Sequence, residues 1–285
     1  MMTTTSAIPV PENSRHAPTV LTRAREHSQD ARRLAGFAAA LAATDYPIPP
    51  ERGVVMGHSH YREIGLEFFS YFLKWGDLDP TDDVLDIGCG GGRMAAPLIH
   101  YLDSTAKYVG FDVHEGSIRW CQDNISSRRP NFKFERFDLQ NQRYNPRGAI
   151  GSTDFVFPYE DDSFSFSIAT SVFTHMPRAE VRHYLKQIAR VLRRGGRAFC
   201  TAFMMTPEAD EALRTFKRGL TFDHMIGENP THSIAEPLMA VAQTEGALRS
   251  DIAAAGLILD RFALGWWSGL AGSHGQQDMI LLRKP

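Results

Sequence analysis

Apolar positions between residues 84 and 203 follow two rhythms that alternate along the chain. Short runs at 84–87, 107–112, 131–137, 163–170 and 197–203 have the length of strands, and the first has the size of a buried parallel strand. The run at 163–170 alternates phenylalanine with serine, as a strand bounded by an acidic turn does. Other stretches carry apolar residues three and four apart. The clearest, 178–193, sets Val181, Tyr184, Leu185, Ile188, Val191 and Leu192 on one face, with Pro177 before it. It closes on Arg190, Arg193 and Arg194, then Gly195-Gly196, which together read as helix start and stop signals. A second helical stretch, 93–102, follows the first strand.

Strand–helix alternation predicts an α/β fold with a mostly parallel sheet. Residues 1–17 are expected to form a disordered tail and 18–75 an N-terminal helical cap or lid. Within that cap, Leu34, Phe37 and Leu41 read as the apolar side of one helix, with Arg23, Arg25, Arg32 and Arg33 as its solvated face. Ile64, Leu66, Phe68, Phe69, Phe72 and Leu73 mark a second helix over 61–75. The core is 76–285, with 204–242 as a lid insertion, then a helix at 244–255 and strands at 257–263 and 278–282.

The first strand carries one acid, Asp86, and breaks into Gly88, Gly90, Gly91 and Gly92. Strand, glycine turn and helix bring backbone N–H groups against a nucleotide-like ligand. A dinucleotide fingerprint needs a third glycine at the sixth position for helix packing, and that position is Arg93. The pattern Asp86-x-Gly88-x-Gly90-x-Gly92 instead resembles the class I (Rossmann-like) S-adenosylmethionine (SAM)-dependent methyltransferases. Further along, Ser171-Val172-Phe173-Thr174-His175-Met176, an amphipathic helix, and Arg190-Val191-Leu192-Arg193-Arg194-Gly195-Gly196 resemble the bacterial small-molecule members of that class. The resemblance implies a seven-stranded sheet whose last strand runs antiparallel between the fifth and sixth.

It also implies a ligand set for SAM and its product S-adenosylhomocysteine (SAH). Asp86, Gly88, Cys89, Gly90 and Arg93 would surround the methionine part, with the helix start adding positive potential beside its carboxylate. Asp112, at the end of the second strand, would take the ribose hydroxyls, with Val113 beside it. Its alternative is the N-cap of the next helix. Asp138 would accept from the adenine amino group and Leu139 lie against the ring, or Asp138 is a turn residue. Ser171 and Phe173 complete the set.

In an open α/β sheet the acceptor pocket lies at the carboxyl ends of the strands. His58, His60, Tyr61, His175, Trp266 and Trp267 are candidates to line it, with one of the tryptophans expected to pack the hairpin instead. An oxygen nucleophile must lose a proton, and His175, just past the fourth strand, is the candidate general base. His58-x-His60 lacks further ligands, so no metal is expected. The turn at 171–173 lacks the two prolines typical of enzymes that methylate DNA amino groups or glutamine.

The chain has 285 residues, and 31 basic against 33 acidic side chains leave a net charge of −2. That offers no general attraction to nucleic acid. No apolar run approaches the ~20 residues of a membrane span. Three cysteines in unrelated contexts form neither a disulfide framework nor a zinc motif, so a reduced cytoplasmic enzyme is expected. The expected reaction is O-methylation of a small organic acceptor in bacterial, including secondary, metabolism. N- or C-methylation, a SAM-binding module without turnover, and a nicotinamide dehydrogenase are its rivals, and homodimerisation is left open.

Overall fold

The computed structural model describes residues 20–50, 60–142, 144–215, 219–270 and 275–285, with backbone alone for 20–27. The expected tail at 1–17 and His58 lie outside the described residues. In chain order the elements are helices α1 (Val20–Ala42) and α2 (Tyr61–Lys74), strand β1 (Val84–Ile87), the single turn α3 (Ala95–Leu98), β2 (Tyr108–Asp112), α4 (Glu115–Cys121), β3 (Phe132–Arg136), β4 (Phe164–Ala169), α5 (Arg178–Val191) and β5 (Leu192–Ala202). There follow β6 (Met204–Met205), α6 (Pro207–Thr215), β7 (His224–Ile226), β8 (Asn229–Thr231), β9 (Gln243–Thr244), α7 (Glu245–Ala254), β10 (Ile258–Ala263) and β11 (Asp278–Arg283).

Seven strands form one sheet in the order β10-β11-β5-β4-β1-β2-β3. The strands from β5 to β3 are mutually parallel, and β11 runs antiparallel between β5 and β10, as expected. Every residue of β1 is buried, which is what a central strand covered on both faces requires. Its side chains alternate between two cores. Leu85 and Ile87 join a cluster under α5 and α7 that includes Leu185, Ile188, Leu248 and Ile252. Val84 joins a cluster under α1, α2 and α4 with Phe69, Phe72 and Ile118. Phe72, fully buried, meets Phe166 and Phe199 edge-on at 5.9 and 5.1 Å. Burial of such a ring is worth roughly 1.5–3 kcal/mol.

Several expectations are corrected. The helix expected over 93–102 is one α-helical turn, because Pro97 has no N–H to donate to Arg93 and the chain tightens into i→i−3 bonds at His100 and Tyr101. A helix that short supplies little dipole to the glycine turn. Helix α5 ends at Val191, and Leu192 already belongs to β5, so Arg193 and Arg194 lie in the strand. Alternation alone would put Phe164 and Phe166 on one face. The β4–β5 ladder shifts register between them, and Phe164 enters the α5-side core while Phe166 enters the other.

Helix α1 docks by a different stripe from the expected one. Leu34 and Leu41 are exposed, whereas Phe37 packs on Phe69 and Ala40 is buried. Arg32 and Arg33 reach Asp103 and Asp77. Cβ on Gly36 would lie 2.3 Å from the Tyr101 ring, so the helix approaches too closely for any side chain there.

The cap is joined to the glycine turn by an equally close contact. A Cβ on Gly65 of α2 would stand 2.7 Å from both the Arg93 carbonyl oxygen and the Tyr46 hydroxyl. Gly65→Ala is therefore expected to destabilise the protein by about 1–3 kcal/mol through overpacking, measured by urea unfolding. A variant as stable as the parent would show that this seam opens freely.

Candidate functional site

The carboxyl ends of β1, β2 and β4 open onto a cleft of about 230 Å³. The turn after β1 forms its floor. Gly88 and Gly92 hold φ of +67° and +75°, and a Cβ on either would stand 2.7 Å from Val172 or Ile125. Both positions are closed to other residues by conformation and by space. Tyr61 of α2 braces the turn from behind by donating its hydroxyl to the Gly91 carbonyl at 2.9 Å.

Asp86 sits in the wall of this cleft with 1 % of its surface exposed. Period-two alternation points it to the same side as Val84 and toward β2, where the Tyr108 hydroxyl donates to its Oδ2. Its Oδ1 is buried and accepts no hydrogen bond among the described residues. Burial pushes this carboxyl up to about 7; the Tyr108 bond and the Arg93 charge act against that, and Asp112 adds to it. Arg93 also lines the cleft, and its own burial lowers its pKa.

Asp112 accepts from Gly90 N–H and from His114 N–H, each at 2.8 Å. Burial raises its pKa, against the pull of those two bonds. Helix α4 is capped by His114, whose Nδ1 accepts from Ser117 N–H, so Asp112 is not the cap. The Val113 N–H adds to the downward pull on the Asp112 pKa.

His175 lies at the far wall with Met176. Its Nδ1 is 3.0 Å from the Leu238 carbonyl oxygen, which only accepts. The ring therefore carries hydrogen on Nδ1, and when neutral its lone pair is on Nε2. The 204–242 insertion is the platform for this contact. It holds the turn through Val241 N–H to Thr174 O at 2.8 Å, while Gln243 Nε2 donates to Met176 O at 2.9 Å.

Of the residues expected from sequence, Asp86, Gly88, Cys89, Gly90, Arg93, Asp112, Val113, Leu139, Ser171 and His175 line one cleft. The others take different roles. Asp138 is outside it, its carboxylate accepting from Asn145 and the Ala149 N–H. Phe173 is a core residue, 1 % exposed. Tyr61 packs against Tyr46 and Trp120 behind the glycine turn. His60 is exposed at the start of α2. Trp266 is 54 % exposed, whereas Trp267 is buried with Phe203 and Phe222 and donates Nε1–H to Asp278 at 2.8 Å.

Sequence reading missed Gln140, Asn141, Tyr144, Ser152 and Tyr184, which also line the cleft. Tyr184 stood on the apolar face of α5 and looked like core. The other four belong to a loop with no periodicity to mark them.

Residues 84–196 match the family described as "Methyltransferase domain". The chain is similar to "Methyltransferase GfsG" of Streptomyces halstedii, 31 % identical over 50 % of this chain and 45 % of that protein. It is 29 % identical to "27-O-demethylrifamycin SV methyltransferase" of Amycolatopsis mediterranei, over 53 % of this chain and 52 % of the relative. An "eEF1A lysine and N-terminal methyltransferase homolog" of Drosophila pseudoobscura pseudoobscura is 24 % identical over 50 % of this chain and 21 % of its own length. The chain thus spans about half the length of the two bacterial relatives and about a fifth of the third. Among solved structures, magnesium protoporphyrin IX methyltransferase from Synechocystis PCC 6803 with bound SAH superposes at a TM-score of 0.51 and 14 % identity, covering 92 % of this chain and 100 % of that one. Among the described residues no helix is long and apolar enough to cross a membrane.

The burial of Asp86 has a pH signature. Its folded-state pKa, about 7, lies above the ordinary aspartate value of 3.8, so between those values the folded protein binds the extra proton. The stability this proton supplies is complete below the unfolded pKa and is lost as pH rises through about 7. Asp86→Asn is expected to flatten this dependence and to raise ligand-free stability at pH 8 by roughly 2–4 kcal/mol, read from urea unfolding at pH 5 and pH 8. Parallel curves for the two proteins would show that Asp86 is ionised at no cost.

Proposed function

We propose, from the premise that residues 84–196 are a class I, Rossmann-like SAM-dependent methyltransferase domain, that this chain methylates a hydroxyl oxygen of a small organic acceptor. The observation that carries the reading is one cleft holding three groups. They are Asp86 with a buried oxygen that has no donor among the described residues, Asp112 at the end of β2, and His175 with its proton-bearing nitrogen committed to Leu238.

The residues present fit SAM. A buried carboxylate oxygen without a donor matches the cofactor's ammonium, and glycines at 88 and 92 let backbone come close. Asp112 would accept from the ribose hydroxyls, and Leu139 would pack on the adenine. SAM when bound supplies an activated methyl on a sulfonium. The protein's part is to align the acceptor, exclude water and hold a proton. Val172, Met176 and Tyr184 provide walls for the first two tasks. His175 Nε2 would take the acceptor's hydroxyl proton, with Leu238 fixing the ring in the required tautomer.

Small-molecule O-methylation draws support from the name of the rifamycin relative. A protein amine as acceptor is the second reading, favoured by the eEF1A lysine relative. The free, buried Cys89, Cys121 and Cys200 support a reducing, cytoplasmic setting.

Calorimetric titration with SAH, with NAD and NADP as controls, tests the premise, and a screen of hydroxylated acceptors with SAM tests the rest. Asp112→Ala is expected to weaken SAH at least tenfold while unfolding stays cooperative. Unchanged affinity would remove Asp112 from the ribose. His175→Ala is expected to lower turnover about a hundredfold with SAH affinity within about threefold, and to flatten the pH–rate profile. Turnover equal to the parent's would remove the base assignment and favour transfer by proximity alone.

A further inference from the structure

We propose that Gln277, outside the cleft and just before β11, fixes the Ser171 hydroxyl as a hydrogen-bond acceptor for the α-ammonium of the bound cofactor. The inference rests on the SAM reading above and extends it to the residue just before the last strand.

The position of the Gln277 amide oxygen sets the direction of the hydroxyl bonds in this cluster. Ser171 N–H donates to Thr201 Oγ1 at 2.8 Å. A backbone N–H only donates, so Thr201 Oγ1 accepts there and its single hydrogen must go elsewhere. The Gln277 amide oxygen lies 2.6 Å from Thr201 Oγ1, so the Thr201 hydroxyl donates there. The Ser171 hydroxyl stands 3.1 Å from that same oxygen. With the amide oxygen as partner, Ser171 Oγ must be the donor. Its one hydrogen is then spent on Gln277, and what it presents to the cleft is lone pairs.

The placement matches the methionine end of the cofactor. Asp86 pairs with Ile168 in the β1–β4 register, and Val172 abuts Gly88, so the segment after β4 lies against the first glycine. Ser171 lines the cleft at a φ of +57°, a conformation uncommon for a non-glycine residue. Thr201 is fully buried in β5 and holds the Ser171 N–H in that conformation. Asp86 Oδ1 and Ser171 Oγ thus offer two acceptors to a group with three N–H donors.

The backbone beside Gln277 is anchored independently of the Gln277 side chain. The neighbouring Asp278 accepts from Gly265 N–H and Met204 N–H, each at 2.6 Å, and from Trp267 Nε1–H at 2.8 Å. Changing the Gln277 side chain leaves that anchor in place.

The test is calorimetric titration of the full chain with SAH and with the SAH analogue that lacks the α-amino group. Gln277→Leu is expected to weaken SAH about tenfold and the deaminated analogue by less than about twofold, while Gln277→Glu, which keeps an acceptor oxygen, stays within about threefold of the parent. Ser171→Ala should reproduce the loss, and combining it with Gln277→Leu should add nothing. Ser171→Ala carries the test if the leucine variant fails to fold. Equal loss for both ligands, or no loss in Gln277→Leu and Ser171→Ala, would overturn the assignment. Failure of the parent to bind SAH at all would overturn the SAM reading and this inference together.

Discussion

The site depends on a carboxylate placed where the fold is least able to solvate it. Strand β1 is covered on both faces, and Asp86 is its third residue. A buried carboxylate is costly unless it is paired. The protein supplies half of the pairing through Tyr108, and the remaining oxygen is buried without a donor among the described residues. The resulting pKa, about 7, means that the ligand-free protein holds a proton there over part of the neutral range.

The surrounding elements work as scaffolding for this arrangement. Helix α2 presses Gly65 against the Arg93 backbone and sets Tyr61 under Gly91, so the cap fixes the shape of the glycine turn. The 204–242 insertion, expected as a lid, forms β-structure of its own and holds His175 through Leu238. Gln277, just before the last strand, reaches Ser171. Segments far from the glycine motif in sequence thus decide the orientation of side chains around the cleft.

Legibility followed the range of the interaction. The strand pattern, the glycine spacing and the positions of Asp86 and Asp112 could be read because each is local: alternation, a turn that admits only glycine, an acid at a strand end. The placement of Asp138 could not. Its carboxylate bonds with Asn145 and Ala149, in a loop whose path has no sequence period. Trp267 and Phe173 were ambiguous for another reason, since an aromatic residue near a pocket serves a core equally well, and here both are core. Tyr184 failed in the opposite sense, a core-like position that also faces the cleft.

The chain by itself determined the strand–helix alternation of a mostly parallel sheet and the glycine turn that lines the cleft. Both follow from periods and spacings within about twenty residues, whereas the antiparallel last strand was implied by resemblance to a family. The tertiary structure alone decided that α1 docks by Gly36, Phe37 and Ala40, that β4 changes face between Phe164 and Phe166, which nitrogen of His175 bears the hydrogen, and which way the Ser171 hydroxyl points. Each of these turns on partners thirty to more than a hundred residues away. A hydrogen-bond direction is set by its whole network, and no local pattern encodes which partners the fold will bring together.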